Sequence, residues 1–214
     1  MKIGTWLILL AMIANGLSFS TIAAFSEDTN TPKIQTGDKW IYQETDRITN
    51  TPTARITWVV TEALDKTYTV NVTSSNGSSI VDVYDYNLNE IQSGQFTDSP
   101  NDGAGVADKK PGVSWKRSFI WRDTDKGVGG KSQMEGRCPI KETVTVPAGT
   151  FDTLKCFTKL RTHPSNSGPV IWETTMTSWY SPQAIHWVKR MYEIRNRGHL
   201  ATSKLQELTE YHLN

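Results

Sequence analysis

Cysteine is scarce in this 214-residue chain: only Cys138 and Cys156 occur. Because no cysteine precedes Cys138, we expect no lipid-modified cysteine at the N-terminus. No histidine stands at ligand spacing from either cysteine, which argues against a zinc site built on the pair. In an exported chain the two cysteines predict one disulfide, with a pair of buried free thiols as the alternative.

Catalytic and nucleotide-binding motifs are missing as well. None of the four histidines lies in an HExxH pattern, no GxSxG elbow occurs, and the glycine-rich stretches lack the order of a phosphate-binding loop. The loop aspartates do not follow the calcium-binding pattern D-x-D-x-D-G. We therefore expect no metal, no cofactor and no enzymatic activity, with a hydrolase as the least favoured alternative.

An excess of charge of one sign is also absent. The chain has 23 Lys and Arg and 22 Asp and Glu, and Lys2 is the only ionisable side chain in the first 24 residues. Removal of those residues leaves 23 − 1 = 22 basic against 22 acidic side chains. A balanced chain offers no electrostatic reason to bind nucleic acid.

The one long apolar run lies at the N-terminus. It covers residues 6–17, follows Lys2, and precedes the small residues Ala23 and Ala24. This order is typical of a secretory signal peptide, predicted at 1–24, with cleavage near Ala23 or Ala24. The mature chain would then have no transmembrane segment and would be periplasmic or secreted. If the run is not cleaved, it would tether the protein to a membrane.

The remainder of the chain shows β-type patterning, and no stretch has a convincing 3.6-residue stripe. A flexible leader at 25–36 precedes a single domain at 37–214, which contains a long, mobile loop near 95–112. Ten short segments alternate with Gly, Pro, Asn and Asp: Lys39–Thr49, Ala54–Ala63, Thr67–Ser74, Ser79–Asn87, Val113–Asp123, Glu135–Val146, Thr153–Arg161, Val170–Tyr180, Ile185–Asn196 and Ala201–Tyr211. They predict an all-β fold, a single antiparallel meander forming a curled half-barrel or open barrel. The last of them could be a helix or a closing strand.

A β-hairpin is predicted at residues 144–156, VTVPAGTFDTLKC. Polar and apolar residues alternate before Pro147, which cannot donate to a ladder, and Gly149 tolerates a positive φ in the turn. A hairpin centred between Ala148 and Gly149 places Cys156 opposite Lys141, so the two sulfurs would not face each other. A bend at Pro139 would be needed to bring them together.

Three segments carry a family resemblance: GDKWIY at 37–42, VPAGTFDTLKC at 146–156 and WYSPQAIHWVKR at 179–190. On these residues the chain resembles the TapB-like proteins and the relatives of domain of unknown function 3108, which are exported bacterial proteins. The resemblance spans most of the mature chain. It implies an antiparallel β fold similar to a curled half-barrel, a periplasmic or surface location, and no established activity.

A candidate ligand-binding face follows from the residues 115–121. Trp115, Arg117, Phe119 and Trp121 are two residues apart, so all four side chains lie on one face of a strand. Trp179 and Trp187 would cluster at the end of a later hairpin. We interpret these six residues as a concave aromatic surface for a lipid, another amphipathic ligand or an envelope protein. The alternatives are that the aromatic residues only fill a barrel interior, or that the protein is a carbohydrate-binding or surface-interaction module with exposed tryptophans.

Overall fold

The computed structural model describes residues 33–164, 169 and 172–214. The predicted signal peptide, most of the leader and the start of the strand predicted at Val170 lie outside the described residues. Twelve strands follow one another: β1 Lys39–Asp46, β2 Thr51–Ala63, β3 Thr67–Ser74, β4 Ser79–Asp85, β5 Glu90–Ser93, β6 Phe96–Ser99, β7 Val113–Asp123, β8 Val128–Val146, β9 Gly149–His163, β10 Trp172–Ser181, β11 His186–Asn196 and β12 His199–His212. Within these ranges no helix is long and apolar enough to cross a membrane.

The strands form an antiparallel meander that closes into a barrel, because β12 pairs with β1 as well as with β11. The all-β meander is confirmed, but the barrel is closed, whereas the sequence predicted a half-barrel or open barrel. The difference arises at the C-terminus, where Leu205 and Leu208 have helical spacing but Leu200 and its neighbours also suit a closing strand. In the structure Leu208 is fully buried opposite Tyr42, and this burial favours the closing strand.

The disulfide between Cys138 and Cys156 forms, in a register that differs from the predicted one. The turn consists of Pro147 and Ala148 alone, since Val146 pairs with Gly149, so the hairpin is centred one residue earlier than expected. A register shift between Arg137 and Ile140 then sets Cys138 and Pro139 together against Cys156. The β-bulge at Pro139 therefore supplies the bend that the pairing needs.

The segment 95–112 is shorter as a loop than the sequence indicates. Residues 96–99 form β6. Neither β5 nor β6 was predicted from the sequence, because each has only four, mostly polar, residues. The remaining loop, Pro100 to Gly112, packs against the barrel: Val106 is 4% exposed, and Gly105 N donates to Asn89 Oδ1 at 2.8 Å.

One end of the barrel interior is filled by rings. We call seven buried residues the aromatic floor: Trp40, Tyr42, Trp58, Tyr68, Tyr84, His186 and Trp187. The centroids of their contacting rings lie 3.7 to 6.2 Å apart. Offset and edge-on contacts between aromatic rings add to the stability that burial provides. The aromatic floor fills this end of the barrel. The interior space therefore lies towards the other end, between the inward faces of the strands.

Candidate functional site: the interior of the barrel

The predicted face of β7 does point inward, as its alternation requires, but it is not free. Phe119 is 4% exposed, and the loop 100–112 covers the start of the strand. Trp115 Nε1 donates to Gly103 O at 2.9 Å, and the Arg117 guanidinium donates to Asn101 Oδ1. Two of the four residues are therefore engaged by the chain's own loop.

Each tryptophan of β7 has a glycine of β8 as its strand partner. Trp115 opposes Gly136 and its ring lies across this residue, so that a Cβ at position 136 would collide with the ring. Trp121 opposes Gly130, where an added Cβ would first meet His163 O, and Trp121 Nε1 donates to that oxygen at 3.0 Å. The Trp115 ring therefore lies flat against the wall of the barrel.

The structure separates the remaining two predicted site residues. Tyr180 opposes Trp187, and both point into the barrel, so the preceding residue Trp179 points outward. The Trp179 ring contacts Lys155 at 5.0 Å and Lys189 at 5.8 Å, and its indole N–H donates to Glu142. Trp187 belongs to the aromatic floor. The six predicted residues therefore do not form one surface.

Beyond the floor the barrel keeps an interior space, the lumen. Twelve strands enclose more volume than the eight whose side chains fill a small barrel. Cross-strand partners share a face, so Thr158, Met176, Tyr192 and Lys204 all point inward in one row across β9 to β12. Met176, Tyr192 and Lys204 are only half-buried although the sheet is closed around them, which means that part of their surface faces the lumen.

One side of the lumen is apolar. Its inward residues, called here the apolar wall, come from strands β7 to β11: Phe119, Met134, Leu160, Met176 and Ile194. At the end of the barrel away from the floor, three further inward residues are exposed: Ile80 at 37%, Phe96 at 42% and Trp172 at 40%. An apolar wall that leads to exposed apolar side chains at the rim suits an elongated hydrophobic group.

The opposite side carries carboxyl groups, called here the acidic wall: Asp82, Glu90, Asp98 and Asp102. Burial, helped by the charges of Asp102 and Asp82, raises the pKa of Glu90 to about 8. Burial also raises the pKa of Asp98 and that of Asp102 to about 7, and it raises the pKa of Asp82. Tyr84 Oη donates to Glu90 Oε2 at 3.0 Å, which connects this wall to the aromatic floor.

Arg190 of β11 lies where the floor meets the two walls. Its guanidinium carbon is 3.2 Å from the centre of the Trp187 ring, and its strand partners are Ser178 and Gln206. Burial lowers the pKa of Arg190, and its charge in turn shifts the pKa values of surrounding groups, among them Tyr42, Tyr84, Glu90, Asp102 and His186. Arg190 is therefore the electrostatic centre of the lumen.

Sequence reasoning missed Arg190 and the acidic wall. The sequence places Arg190 in a basic group with Lys189, Arg195, Arg197 and His199, which we interpret as a solvated edge, with contact to an anionic lipid or polymer as the alternative. Asp98 and Asp102 lie in a polar segment without visible periodicity. A bulge opposite Trp179 and Tyr180 sets the inward position of Arg190, and no pattern in one sequence marks that bulge.

A concavity of about 820 Å³ runs along strands β7 to β11, and its lining includes the inward residues Trp115, Thr158, Met176 and Tyr192. We call its outward part the outer groove. The outward side chains are mixed in character: Arg47, Lys116, Glu135, Arg137, Phe157, Lys159, Thr175, Thr177, Met191 and Glu193. Ion pairs such as Arg47 with Glu193 at 3.3 Å already satisfy part of this charge.

Comparison with known proteins supports the fold. A candidate lipoprotein of Parabacteroides distasonis superposes with a TM-score of 0.51 at 16% identity, over 85% of this chain and 98% of the other. A candidate exported protein with a YmcC-like fold from Bacteroides fragilis gives 0.49 at 14% identity, over 84% and 97%. The hypothetical lipoprotein YmcC of Escherichia coli K12 gives 0.49 at 10% identity, over 82% and 85%. At 16% identity, the first likeness establishes the fold alone.

No family model matches the chain. No curated protein matches it either.

Proposed function

We propose that this is an exported bacterial protein, akin to the TapB-like and domain of unknown function 3108 proteins, that binds an amphipathic ligand in its lumen without catalysing a reaction. It would work in the periplasm or outside the cell after signal cleavage near Ala23 or Ala24. Two observations support the location: the disulfide Cys138–Cys156, which is typical of oxidising compartments, and the fold shared with a candidate lipoprotein.

The amphipathic lining of the lumen carries the proposal. Apolar side chains such as Met176 and Ile194 face a side that holds Glu90 and Asp102, so a ligand with both an apolar and a polar part matches the space. His186, the one buried histidine in the described part of the chain, is enclosed by rings and its pKa is held well below 6.5 by burial. It serves packing better than proton transfer, which supports a binding role over catalysis.

A fluorescent probe tests this function. N-phenyl-1-naphthylamine should bind the mature protein saturably with one probe per chain, and its emission should rise and shift to the blue. Met176→Gln, on the apolar wall, should weaken binding severalfold. Met191→Gln is the matched control, because Met191 is also half-buried on a neighbouring strand, but its position in the register turns its side chain to the outer face of the sheet. Absence of saturable binding, or equal effects of the two substitutions, would reject the lumen as the binding site.

A surface-interaction module is the second candidate, and the outer groove is the observation that favours it. A carbohydrate platform of exposed tryptophans is less well supported, since Trp172 alone among the seven tryptophans of residues 33–214 is exposed. Arg137→Glu and Lys159→Glu, which reverse charges in the groove, should abolish capture of an envelope partner and leave probe binding in the lumen unchanged.

A further inference from the structure

Four buried hydrogen-bond donors of the aromatic floor and of Arg190 have no acceptor in the protein: the indole N–H groups of Trp58 and Trp187, the Tyr68 hydroxyl and the Arg190 Nε–H. Arg190 itself is half-buried, so part of its side chain faces the lumen. The four donors belong to one continuous cluster. Arg190 packs on Trp187, Trp187 lies 5.1 Å from Trp58, and Tyr84 lies 5.9 Å from Trp58 and 5.7 Å from Tyr68. Buried donors without acceptors are rare in folded proteins because each costs about 1–3 kcal/mol.

The other polar groups of the aromatic floor are satisfied. Trp40 Nε1 donates to Ala184 O at 2.7 Å, Tyr42 Oη donates to Trp187 O at 2.9 Å, and Tyr84 Oη donates to Glu90. Within the aromatic floor, the unpartnered donors therefore belong to Trp58, Tyr68 and Trp187, of which Trp187 packs on Arg190. The other unpartnered atoms in the described chain are Asp82 Oδ1 and the hydroxyls of Ser74 and Ser181, so donors predominate where floor and lumen meet.

The Arg190 charge is also unbalanced at short range. No carboxylate of the described residues lies within ion-pair distance of its guanidinium. Of the carboxyl groups whose pKa Arg190 affects, Glu90 is protonated at neutral pH because burial raises its pKa to about 8, and Asp102, with a pKa of about 7, is only partly ionised. A buried guanidinium normally has a hydrogen-bonded anionic partner.

We infer that the base of the lumen binds the oxyanion head of the amphipathic ligand, with Arg190, Trp58, Trp187 and Tyr68 as donors. This inference rests on the proposed function and adds the class of ligand: a chain with a carboxylate or phosphate-type head. The head lies at the floor, and the tail follows the apolar wall past Met176 towards the rim at Trp172. An oxyanion with several lone pairs accepts from several donors at once, as no single neutral acceptor can.

Three twelve-carbon ligands that differ only in the head test the inference: dodecanoate, dodecyltrimethylammonium and dodecyl maltoside. Calorimetric titration of the delipidated mature protein, below the micelle concentrations, should give dodecanoate at least a tenfold lower Kd than the other two. Arg190→Gln should remove this preference. If none of the three binds, the proposed function fails as well. If all three bind equally, the lumen binds chains but water satisfies the donors, and only the inference on the head group is lost.

Paired substitutions keep the test valid if Arg190→Gln does not fold. Tyr68→Phe removes only a donor without a partner, so it should not lower the melting temperature. Trp58→Phe also reduces a buried ring and should lower the melting temperature. Both substitutions should weaken dodecanoate binding severalfold. Trp40→Phe removes a donor that is already bonded to Ala184 O. It should lower the melting temperature and leave the preference for dodecanoate unchanged. A preference for dodecyltrimethylammonium would instead assign the head group to the acidic wall and overturn the inference.

Discussion

Replacing Glu90 by glutamine should remove most of the dependence of stability on pH between pH 7 and pH 9. In the folded protein the Glu90 pKa is about 8, against an ordinary 4.5, so the folded state holds a proton that the unfolded chain has already lost. Stability from a raised carboxyl pKa is complete below pH 4.5 and is lost as the pH rises through 8.

The size of the effect follows from the proton count. Between pH 7 and pH 9 the folded state releases the Glu90 proton while the unfolded chain releases none, which lowers the free energy of unfolding by about 1.4 kcal/mol. Asp98 and Asp102, with pKa values of about 7, are already half ionised at pH 7, and each adds less than about 0.5 kcal/mol. His186 is neutral in the folded state, and the buried tyrosines, with pKa values raised above 10.0, stay largely protonated to pH 9.

Urea unfolding at pH 7, 8 and 9 and constant ionic strength measures the slope. The wild-type free energy of unfolding should fall by about 2 kcal/mol over this range, and that of Glu90→Gln by less than half as much. Glutamine still accepts the Tyr84 hydroxyl, so the variant should be the more stable protein at pH 9. Glu62→Gln, at an exposed position of β2, controls for the loss of a carboxylate. A wild-type slope near zero, or the same slope in Glu90→Gln, would refute the reasoning.

Three further predictions concern the framework of the barrel. Replacing both Cys138 and Cys156 by alanine opens a loop with a sequence separation of 18 and should lower the free energy of unfolding by about 3 kcal/mol in urea titrations. Gly136→Ala should displace the Trp115 ring, and near-ultraviolet circular dichroism should detect the displacement. An unchanged spectrum would contradict the packing of the Trp115 ring across Gly136. Phe151→Ala, at a site 2% exposed, should cost about 3–5 kcal/mol, and a loss below ~1 kcal/mol would show that the hairpin is not anchored there.

Local chemistry made part of this fold predictable. Pro147 and Gly149 located the hairpin because one residue cannot donate and the other tolerates a positive φ, and the alternation in β7 correctly placed Trp115 and Phe119 on one face. Register was harder to predict, since the displaced turn changes each strand partner by two residues and the bulge at Pro139 changes it by one. Both depend on contacts across the sheet. The sequence could propose the disulfide but could not derive its alignment.

The interior chemistry could not be predicted because it depends on which residues a closed sheet turns inward. Asp98 belongs to a four-residue strand and Asp102 to a loop, and each acquires a raised pKa only after the barrel has buried it. The sequence predicted the shared face of the β7 tryptophans, because no bulge interrupts their strand, but not the faces of Trp179 and Trp187. Trp179 and Trp187 lie on opposite faces because a bulge separates their strand partners.

Closure by β1 and β12 also bears on when the protein can fold. Lys39 pairs with His212, so the seam joins nearly the two ends of the described chain, and such distant pairings form slowly. Until the last strand has been delivered, both β1 and β11 have unpaired edges that could pair with other chains. A protein built this way would cross a membrane most safely as an unfolded chain, and its vulnerable period would end only when the C-terminal strand arrives on the far side.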